Sequence, residues 1–263
     1  MNLRRARPPA RRHKTFFKAM VTGRTVAASP ALDATMSARM ISVAILFLVA
    51  VGALGLTTSE VFYIYNPIVV GHQRVPANEI IAASQMETWH VVWLQPERVS
   101  ALLLAKMPEL DTAFVWCGLP ADCTIQVTER QPVFEWRQGQ VRTWVDAEGV
   151  AFPARGQTPD MPVVQVAAGV QAPLPGNRVD AGLVETMSAL ARVLPEIKSY
   201  RFTAERGIEF SDPKGNWPVY IGVGSDAAER VAMWKALSTS LASRSTRPTF
   251  VDVRYPTAPF YGR

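Results

Sequence analysis

The sequence has few of the residues on which enzymes and metalloproteins depend. It contains three histidines, at positions 13, 72 and 90, and two cysteines, Cys117 and Cys123, in 263 residues. Two cysteines alone do not supply the ligands of a structural zinc site. No Gly-x-Ser-x-Gly elbow, phosphate-binding glycine loop or His-Glu-x-x-His motif is present. We therefore expect no metal, no other cofactor, no small-molecule substrate and no enzymatic activity.

Closely spaced carboxylates are also scarce, and Asp146 and Glu148 are the nearest to a pair. Two residues apart and followed by Gly149, they are typical of a turn and not of the acid/base pair of a hydrolase. Glu129 and Arg130 end a predicted strand, where we expect solvated ion pairs worth about 0–1 kcal/mol. A membrane-anchored cell-wall enzyme with an unrecognised site stays open as an alternative.

The sequence does contain one long uncharged apolar run, Met40–Ser59. About 20 apolar residues at about 1.5 Å each span a bilayer core of about 30 Å. Residues 1–39 hold nine of the 28 basic residues and one of the 22 acidic residues, so this tail carries +8 and the rest of the chain −2. Because basic flanks stay in the cytoplasm, we expect a single-pass type II protein whose larger part lies outside the cytoplasm.

The net charge of +6 therefore reflects membrane topology. A nucleic-acid-binding protein carries a basic patch on its folded domain, and here that part is slightly acidic, so nucleic acid is not an expected partner. A cleaved secretory signal, with its cleavage site at Ala53–Gly55, is the competing interpretation of the apolar run. A basic segment of 39 residues is far longer than the corresponding region of a signal peptide, which favours a retained anchor.

Residues 62–131 predict a small unit with the order β-α-α-β-β. Ile64–Val70 is rich in β-forming residues, Pro76 marks the start of a first helix, and Pro96 marks the start of a second, which Pro108 stops. Two alternating strands follow, Thr112–Trp116 and Thr124–Thr128. The fold class is therefore α+β, with one transmembrane helix ahead of this unit.

Residues 132–255 predict a second, β-rich domain with two helices, and residues 256–263 a C-terminal tail. A hairpin is expected at Gln138-Gly139, and a turn at Asp146–Gly149. The predicted strands are Phe134–Arg137, Val141–Val145, Val150–Phe152, Tyr200–Thr203, Ile208–Phe210, Val219–Val223 and Phe250–Tyr255, and the predicted helices are Leu183–Leu194 and Ala227–Leu241.

Cys117 and Cys123 flank the predicted hairpin loop of the first unit. This position places them opposite each other across two strands, in a domain expected outside the cytoplasm, where thiols oxidise. Closing a loop of about seven residues is worth about 2 kcal/mol on the chain-entropy estimate. We expect a disulfide, and free thiols are the alternative in a host envelope without an oxidising system.

Four segments in register resemble the bacterial division protein family FtsQ, called DivIB in Gram-positive bacteria. Ile68–Val75 (IVVGHQRV) resembles the opening of the family's POTRA domain, with His72 where the family usually has Asn. Ile125–Pro132 (IQVTERQP) is similar to the I-x-V-x-E-R-x-P segment that ends that domain. Trp144–Phe152 (WVDAEGVAF) is similar to its V-D-x-x-G-x-x-F hairpin, and Val251–Pro256 (VDVRYP) to its terminal strand. The Cys pair departs from the usual hairpin of the family.

The resemblance covers about residues 40 to 263 and implies a POTRA domain at 62–131 and an FtsQ-type β domain at 132–255. It implies a scaffold of the division septum that joins single-pass coiled-coil proteins similar to FtsB (or DivIC) and FtsL. No cofactor is implied. A POTRA chaperone for exported proteins is the remaining alternative, and its partners are nascent chains.

We expect the partner to add a strand to the last strand of the β domain, Phe250–Tyr255, provided that this strand lies at the sheet edge. The alternation of this strand places Val251, Val253 and Tyr255 on one face and Phe250, Asp252 and Arg254 on the other. Phe260 and Tyr261 supply aromatic anchors beside the edge. A second docking candidate is the edge strand Ile64–Val70. The predicted partner-binding residues are Phe250, Val251, Asp252, Val253, Arg254, Tyr255, Phe260 and Tyr261.

Overall fold

The computed structural model describes residues 34–157, 159–167, 169–244 and 246–263, in two compact units that meet between Gly55 and Leu56. The helix α1 runs from Ala34 to Thr58, and its segment Ser37–Thr58 is long and apolar enough to cross a membrane. Every side chain of that segment is exposed. This confirms the predicted N-terminal span. Most of the predicted cytoplasmic tail, residues 1–33, lies outside the described residues.

The second unit, Leu56–Arg263, contains all the strands of the described chain. In chain order its helices and strands are β1 (Ile68–Val70), α2 (Ala77–Ser84), α3 (Pro96–Lys106), β2 (Leu110–Gly118), β3 (Asp122–Glu129), β4 (Phe134–Gln138), β5 (Val141–Val145), β6 (Ala151–Pro153), β7 (Val163–Val166), α4 (Ala181–Val193), β8 (Ser199–Thr203), β9 (Gly207–Ser211), β10 (Pro218–Gly222), α5 (Ala227–Ser243), β11 (Phe250–Asp252) and β12 (Phe260–Gly262). Single 3-10 turns occur at Glu60–Phe62 and Val91–Trp93.

A three-stranded sheet follows α1 in the chain. β1 runs parallel to the central strand β3, and β2 pairs antiparallel with β3 through a hairpin, so the strand order is β1-β3-β2. The helices α2 and α3 cover one face, where Ile80, Leu103 and Ile125 are fully buried. This arrangement has the β-α-α-β-β order that the sequence predicts.

The other nine strands form a second sheet in the order β12-β11-β10-β9-β8-β7-β4-β5-β6. One face packs under α4 and α5, and the core there includes Met187, Leu190 and Val231. We call the opposite face the open face. One row of register-matched residues crosses it, Arg142, Arg137, Gln165, Arg201, Glu209, Tyr220, Asp252 and Phe260. The sheet is therefore apolar towards the helices and largely polar on the open face.

Among the elements before α4, two differ clearly from the sequence prediction. The first strand is shorter than Ile64–Val70, because Ile64 donates its N–H to the carbonyl of Trp89 and Tyr63 bridges His90 instead of joining the sheet. The strand β7 was not predicted, because its four residues lie in a proline-rich connection. It pairs in parallel with β4 and with β8, and so joins the two halves of the sheet.

The carboxylate of Glu129, the last residue of β3, fixes the loop that leads into α2. Its Oε1 accepts hydrogen bonds from the backbone N–H groups of Gln73, Arg74 and Val75 at 2.7, 2.8 and 2.9 Å. Its Oε2 lies 2.9 Å from Nε of Arg74, and the side chain is 3% exposed. Burial raises the pKa of this carboxyl, and the hydrogen bonds lower it by more, so the pKa lies below 4.5. The expectation of a solvated ion pair is therefore wrong for Glu129.

Two arginines connect the three-stranded sheet to the nine-stranded sheet. Nη1 of Arg130 lies 2.6 Å from Oδ2 of Asp146, in the turn after β5, with 18% of the Arg130 side chain exposed. Arg155, after β6, has Nη2 2.8 Å from Oε1 of Glu109 and Nη1 2.8 Å from Oε2 of Glu79. Burial lowers the pKa of Arg155, and these two carboxylates raise it by more. Glu129 and Arg130 therefore both have structural roles, Glu129 within the three-stranded part and Arg130 between the two sheets.

Cys117 and Cys123 pair directly across the β2–β3 hairpin, and their Sγ atoms are bonded in the structure. The bond ties the ends of the two strands at the hairpin tip, beside the exposed Leu119. Cys123 is buried and contributes to the core of the three-stranded part.

We predict that Glu129→Gln lowers the free energy of unfolding by about 2 kcal/mol at pH 7, because charge-assisted hydrogen bonds are replaced by weaker ones. The pKa of Glu129 is lowered in the folded state, so its contribution is complete above pH 4.5 and is lost as the pH falls through the folded-state pKa. Thermal unfolding of the full chain in detergent, followed from pH 7 to pH 3, measures the difference. Glu87→Gln, at an exposed position, is the control. An equal, pH-independent loss in both variants would contradict this role.

For the cysteine pair we expect no alkylatable thiol in the protein as isolated and two after reduction. Reduction should also lower the free energy of unfolding by about 2 kcal/mol through the lost loop constraint. Mass spectrometry after alkylation, with and without reductant, counts the thiols. Two reactive thiols in protein that has not been reduced would overturn the disulfide assignment.

Candidate partner-binding surface

The C-terminal strand differs from its prediction, because β11 ends at Asp252 and does not form the sheet edge. It runs parallel to β10 on one side and antiparallel to β12 on the other. The N–H of Ala258 donates to the carbonyl of Tyr255 in a turn that reverses the chain beside Pro256, which cannot continue a ladder. Residues 256–263 are therefore not a free tail, since they contain the edge strand β12.

The two outer strands of the nine-stranded sheet are protected differently. At β6, the N–H of Ala151 donates to the carbonyl of Asn177, and the N–H of Gly176 donates to the carbonyl of Ala151. The 176–178 segment thus covers that edge. On the other side β12 is the last strand in the sheet. The open edge of this sheet is consequently the one that β12 forms.

The backbone of β12 presents its polar groups to the open edge at Tyr261. The N–H of Val253 donates to the carbonyl of Tyr220 in β10, so by the alternation of a strand Asp252 and Phe250 direct their polar groups to β12. Their partners Phe260 and Gly262 point back towards β11. The N–H and C=O of Tyr261 then point outward, and Pro259 contributes only a carbonyl.

Aromatic side chains follow the open face up to this edge. The ring of Phe250 lies 5.6 Å from that of Tyr220 and 5.9 Å from that of Phe260, the latter in a T-shaped contact. The guanidinium of Arg206 lies 4.7 Å above the Tyr220 ring, and Nη1 donates to its hydroxyl at 3.1 Å. Phe260 is 48% exposed. The edge is therefore bordered by a partly exposed aromatic row that a partner side chain can contact.

A buried ion pair fixes the chain where it leaves β11. Asp252 is 2% exposed, and its Oδ2 lies 2.7 Å from Nη2 of Arg254. The backbone N–H of Arg254 donates to Oδ1 at 3.0 Å. Hydrogen bonding to Asp252 raises the pKa of the Arg254 guanidinium, which also lies 5.8 Å from the ring of Tyr255. Tyr255 itself is 62% exposed.

The eight predicted residues thus separate into two groups. Phe250, Asp252 and Phe260 lie together on the open face, with Arg254 paired to Asp252, and Tyr255 is exposed in the turn that follows. Three others support the edge from below: Val251 and Val253 are fully buried in the core under the helices, and Tyr261 packs against that core. The sequence analysis did not identify Tyr220 and Arg206, whose proximity depends on the order of the strands.

A second exposed apolar surface lies on the three-stranded sheet, on the face away from α2 and α3. Ile68 and Trp116 flank Thr124, and Val70 and Phe114 flank Gln126. The exposed fractions of the four apolar residues lie between 47% and 64%. The period-two alternation of β2 and β3 carries this signal in the sequence, although only the faces of β3 could be assigned from it.

No protein-family model matches the chain. The cell division protein FtsQ of Chloroflexus aurantiacus is 27% identical over 210 residues, which cover 77% of this chain and 74% of that protein. The cell division protein FtsQ of Chloroflexus aggregans is 25% identical over 237 residues, which cover 88% of this chain and 84% of that protein. Both matches extend well beyond the apolar helix. Together with the four motifs in register, they support the assignment of this chain as an FtsQ/DivIB-type cell-division protein with one candidate membrane span.

Proposed function

We propose that this protein is a bitopic scaffold of the division septum that joins single-pass coiled-coil proteins similar to FtsB or DivIC and to FtsL. The observation that carries the proposal is the open edge at β12, where Tyr261 presents an outward donor and acceptor. A partner strand added there gains main-chain hydrogen bonds from the edge and side-chain contacts from the aromatic row. Phe250 and Phe260 are the proposed anchors on the open face.

The strand order changes the roles of the predicted residues. Val251 and Val253 do not touch the partner in this proposal, because they are buried and position the edge. The Asp252–Arg254 pair fixes the exit of the chain from β11, so that the turn at Tyr255 can return it as β12. The partner is expected to contact Tyr255, Phe260 and the backbone of Tyr261.

We further propose that the N-terminus is cytoplasmic and that Leu56–Arg263 lies outside the cytoplasm. The charge difference across the apolar helix supports this orientation. The bonded cysteine pair is consistent with it, since disulfides persist outside the reducing cytosol.

The part of the chain at 62–131 is proposed to be a POTRA domain that serves recruitment to the division site. The face formed by Ile68, Val70, Phe114 and Trp116 is its proposed docking surface, because apolar side chains grouped on one sheet face favour a protein partner. This replaces the strand edge Ile64–Val70, of which only the last three residues belong to the sheet.

The chaperone and enzyme alternatives each have a structural counterpart. The docking face just described also suits an apolar segment of a nascent chain. A cleft of about 670 Å³ beside α5 contains Asp212, but this carboxylate already accepts hydrogen bonds from the N–H groups of Lys214 and Gly215 and from Nε1 of Trp234. Asp212 therefore holds the turn after β9, a structural role that does not favour catalysis.

We predict that Tyr261→Pro abolishes partner capture at the β12 edge and that Tyr261→Ala retains most of it. Proline removes the outward N–H, and alanine removes the same side chain but keeps that donor. In-cell photocrosslinking from a probe at Tyr255, with adducts identified by mass spectrometry, measures the capture. The expected adduct in the parent protein is a single-pass coiled-coil division protein.

Equal adduct yields from the proline and alanine variants, with both folded by circular dichroism, would contradict strand addition. Nascent envelope proteins as the adduct would favour the chaperone. A wall-hydrolysis assay on the full chain addresses the enzyme alternative, and activity there would overturn the scaffold proposal.

For orientation, we expect the thiol of a Leu174→Cys variant to react with a membrane-impermeant maleimide in intact spheroplasts. Leu174 is 68% exposed, and the two native cysteines are bonded to each other, so the new thiol is the one that reports. Labelling only after lysis would place the larger unit in the cytoplasm.

A further inference from the structure

A cluster of exposed apolar side chains surrounds the start of the second unit, and the proposed scaffold function does not use it. Trp89, Val92 and Trp93 are 51%, 57% and 66% exposed. Val61 and Tyr65, on the segment that follows α1, are 60% and 50% exposed. We call these five residues the apolar collar. None of them carries a charge.

Backbone hydrogen bonds join the two segments of the collar. The N–H of Ile64 donates to the carbonyl of Trp89 at 3.0 Å, and the N–H of Thr88 donates to the carbonyl of Ile64 at 2.7 Å. Tyr63 bridges His90, and their rings are 5.1 Å apart in an edge contact. The collar therefore rests on a paired backbone and is not a set of unrelated surface residues.

His90 connects the collar to the end of the apolar helix. Its Nδ1 accepts the N–H of Val92 at 3.3 Å, so the ring proton is on Nε2, which donates to the carbonyl of Leu56 at 2.9 Å. The hydroxyl of Tyr63 donates to the carbonyl of Thr57 at 3.3 Å. His90 is 7% exposed, so this link is sheltered from water.

The position of Leu56 and Thr57 in the chain identifies what covers the collar. Both belong to the candidate span Ser37–Thr58, within its last turn. A loop hydrogen-bonded to that turn lies where the bilayer meets water. Tryptophan and tyrosine concentrate at this interface in membrane proteins, because their rings combine an apolar body with a polar N–H or O–H.

We propose that the apolar collar inserts into the boundary between lipid headgroups and acyl chains of the bilayer that α1 spans, with Val92 and Trp93 deepest. This lipid-contact surface is separate from the β12 edge and depends only on the retention of the span. The 3-10 turn at Val91–Trp93 carries the residues that insert, and His90 fixes the distance of this turn from the end of the helix. The partner recognised is the lipid surface itself.

Spin labelling of the full chain in vesicles of phosphatidylcholine and phosphatidylglycerol tests this placement. Nitroxides are attached to Val92→Cys and, as a matched control, to Val141→Cys. Both positions are valines that are 57% exposed, and Val141 begins β5 in the other sheet. We expect the Val92 label to collide more with oxygen and less with a water-soluble nickel chelate than the Val141 label does. Equal collision with the nickel chelate at both positions would overturn the proposal.

A second measurement does not require a label in the collar. Lipids brominated along the acyl chain quench tryptophan fluorescence only within contact distance, and Trp93→Phe should remove a large share of that quenching. Trp116→Phe is the control, since Trp116 is 51% exposed on the outer face of the three-stranded sheet. If Trp116→Phe removes the quenching and Trp93→Phe does not, the bilayer contacts the other surface and the collar proposal fails.

A third variant separates insertion from a merely exposed loop. His90→Ala removes the hydrogen bond to Leu56 and the one from the N–H of Val92, and it changes no side chain of the collar itself. In this background the Val92 label should lose part of its protection from the nickel chelate. Unchanged protection would show that His90 does not position the Val91–Trp93 turn at the bilayer. An aqueous Val92 label in lipid vesicles that becomes protected only when a division protein is added would reassign the collar to a protein partner.

Discussion

The buried carboxylate of Glu129 is the constraint on which the rest of the second unit depends. It ends the central strand of the three-stranded sheet and collects three consecutive backbone N–H groups from the loop before α2. The next residue, Arg130, directs its guanidinium in the other direction, to Asp146 in the nine-stranded sheet. Two adjacent side chains therefore fix the loop before α2 to the three-stranded sheet and connect that sheet to the nine-stranded one. A charge-reversing or neutral change at either one leaves a buried group without its partner, which is more costly than a lost surface ion pair.

The same principle operates at the far end of the larger sheet, where Asp252 pairs with Arg254 at the point where β11 ends. The two residues are two positions apart in the chain, so the pair needs no distant element to form. Its position nevertheless depends on burial of Val251 and Val253 beneath the helices, which sets the register of β11 against β10. The open edge at β12 thus rests on buried residues, so we expect a substitution at Val251 to disturb that edge although Val251 itself lies in the core.

Local patterns predicted much of this fold because they report local physics. Proline at Pro96, the alternation of Ile125 and Val127, and the helical stripes of α4 and α5 each depend on neighbours within a few residues. The edge was misplaced because Phe250–Tyr255 reads as one strand. In the structure β11 ends at Asp252 and the chain turns back to add β12 at Phe260–Gly262, and this outcome depends on strand pairing. The importance of Glu129 was missed for a related reason, because the N–H groups that donate to its carboxylate lie more than 50 residues earlier in the chain. Sequence periodicity carries no information about such contacts.

Two regions of the second unit impose different requirements on the protein. Near α1, the apolar collar is tied to the last turn of the helix by His90, which uses both ring nitrogens, and by the hydroxyl of Tyr63. At β12, the groups that we propose for recognition are backbone atoms that any strand can pair with, so in that proposal selectivity comes from the aromatic row beside them. The ion pairs of Arg130 and Arg155 connect the two sheets and so limit their relative motion.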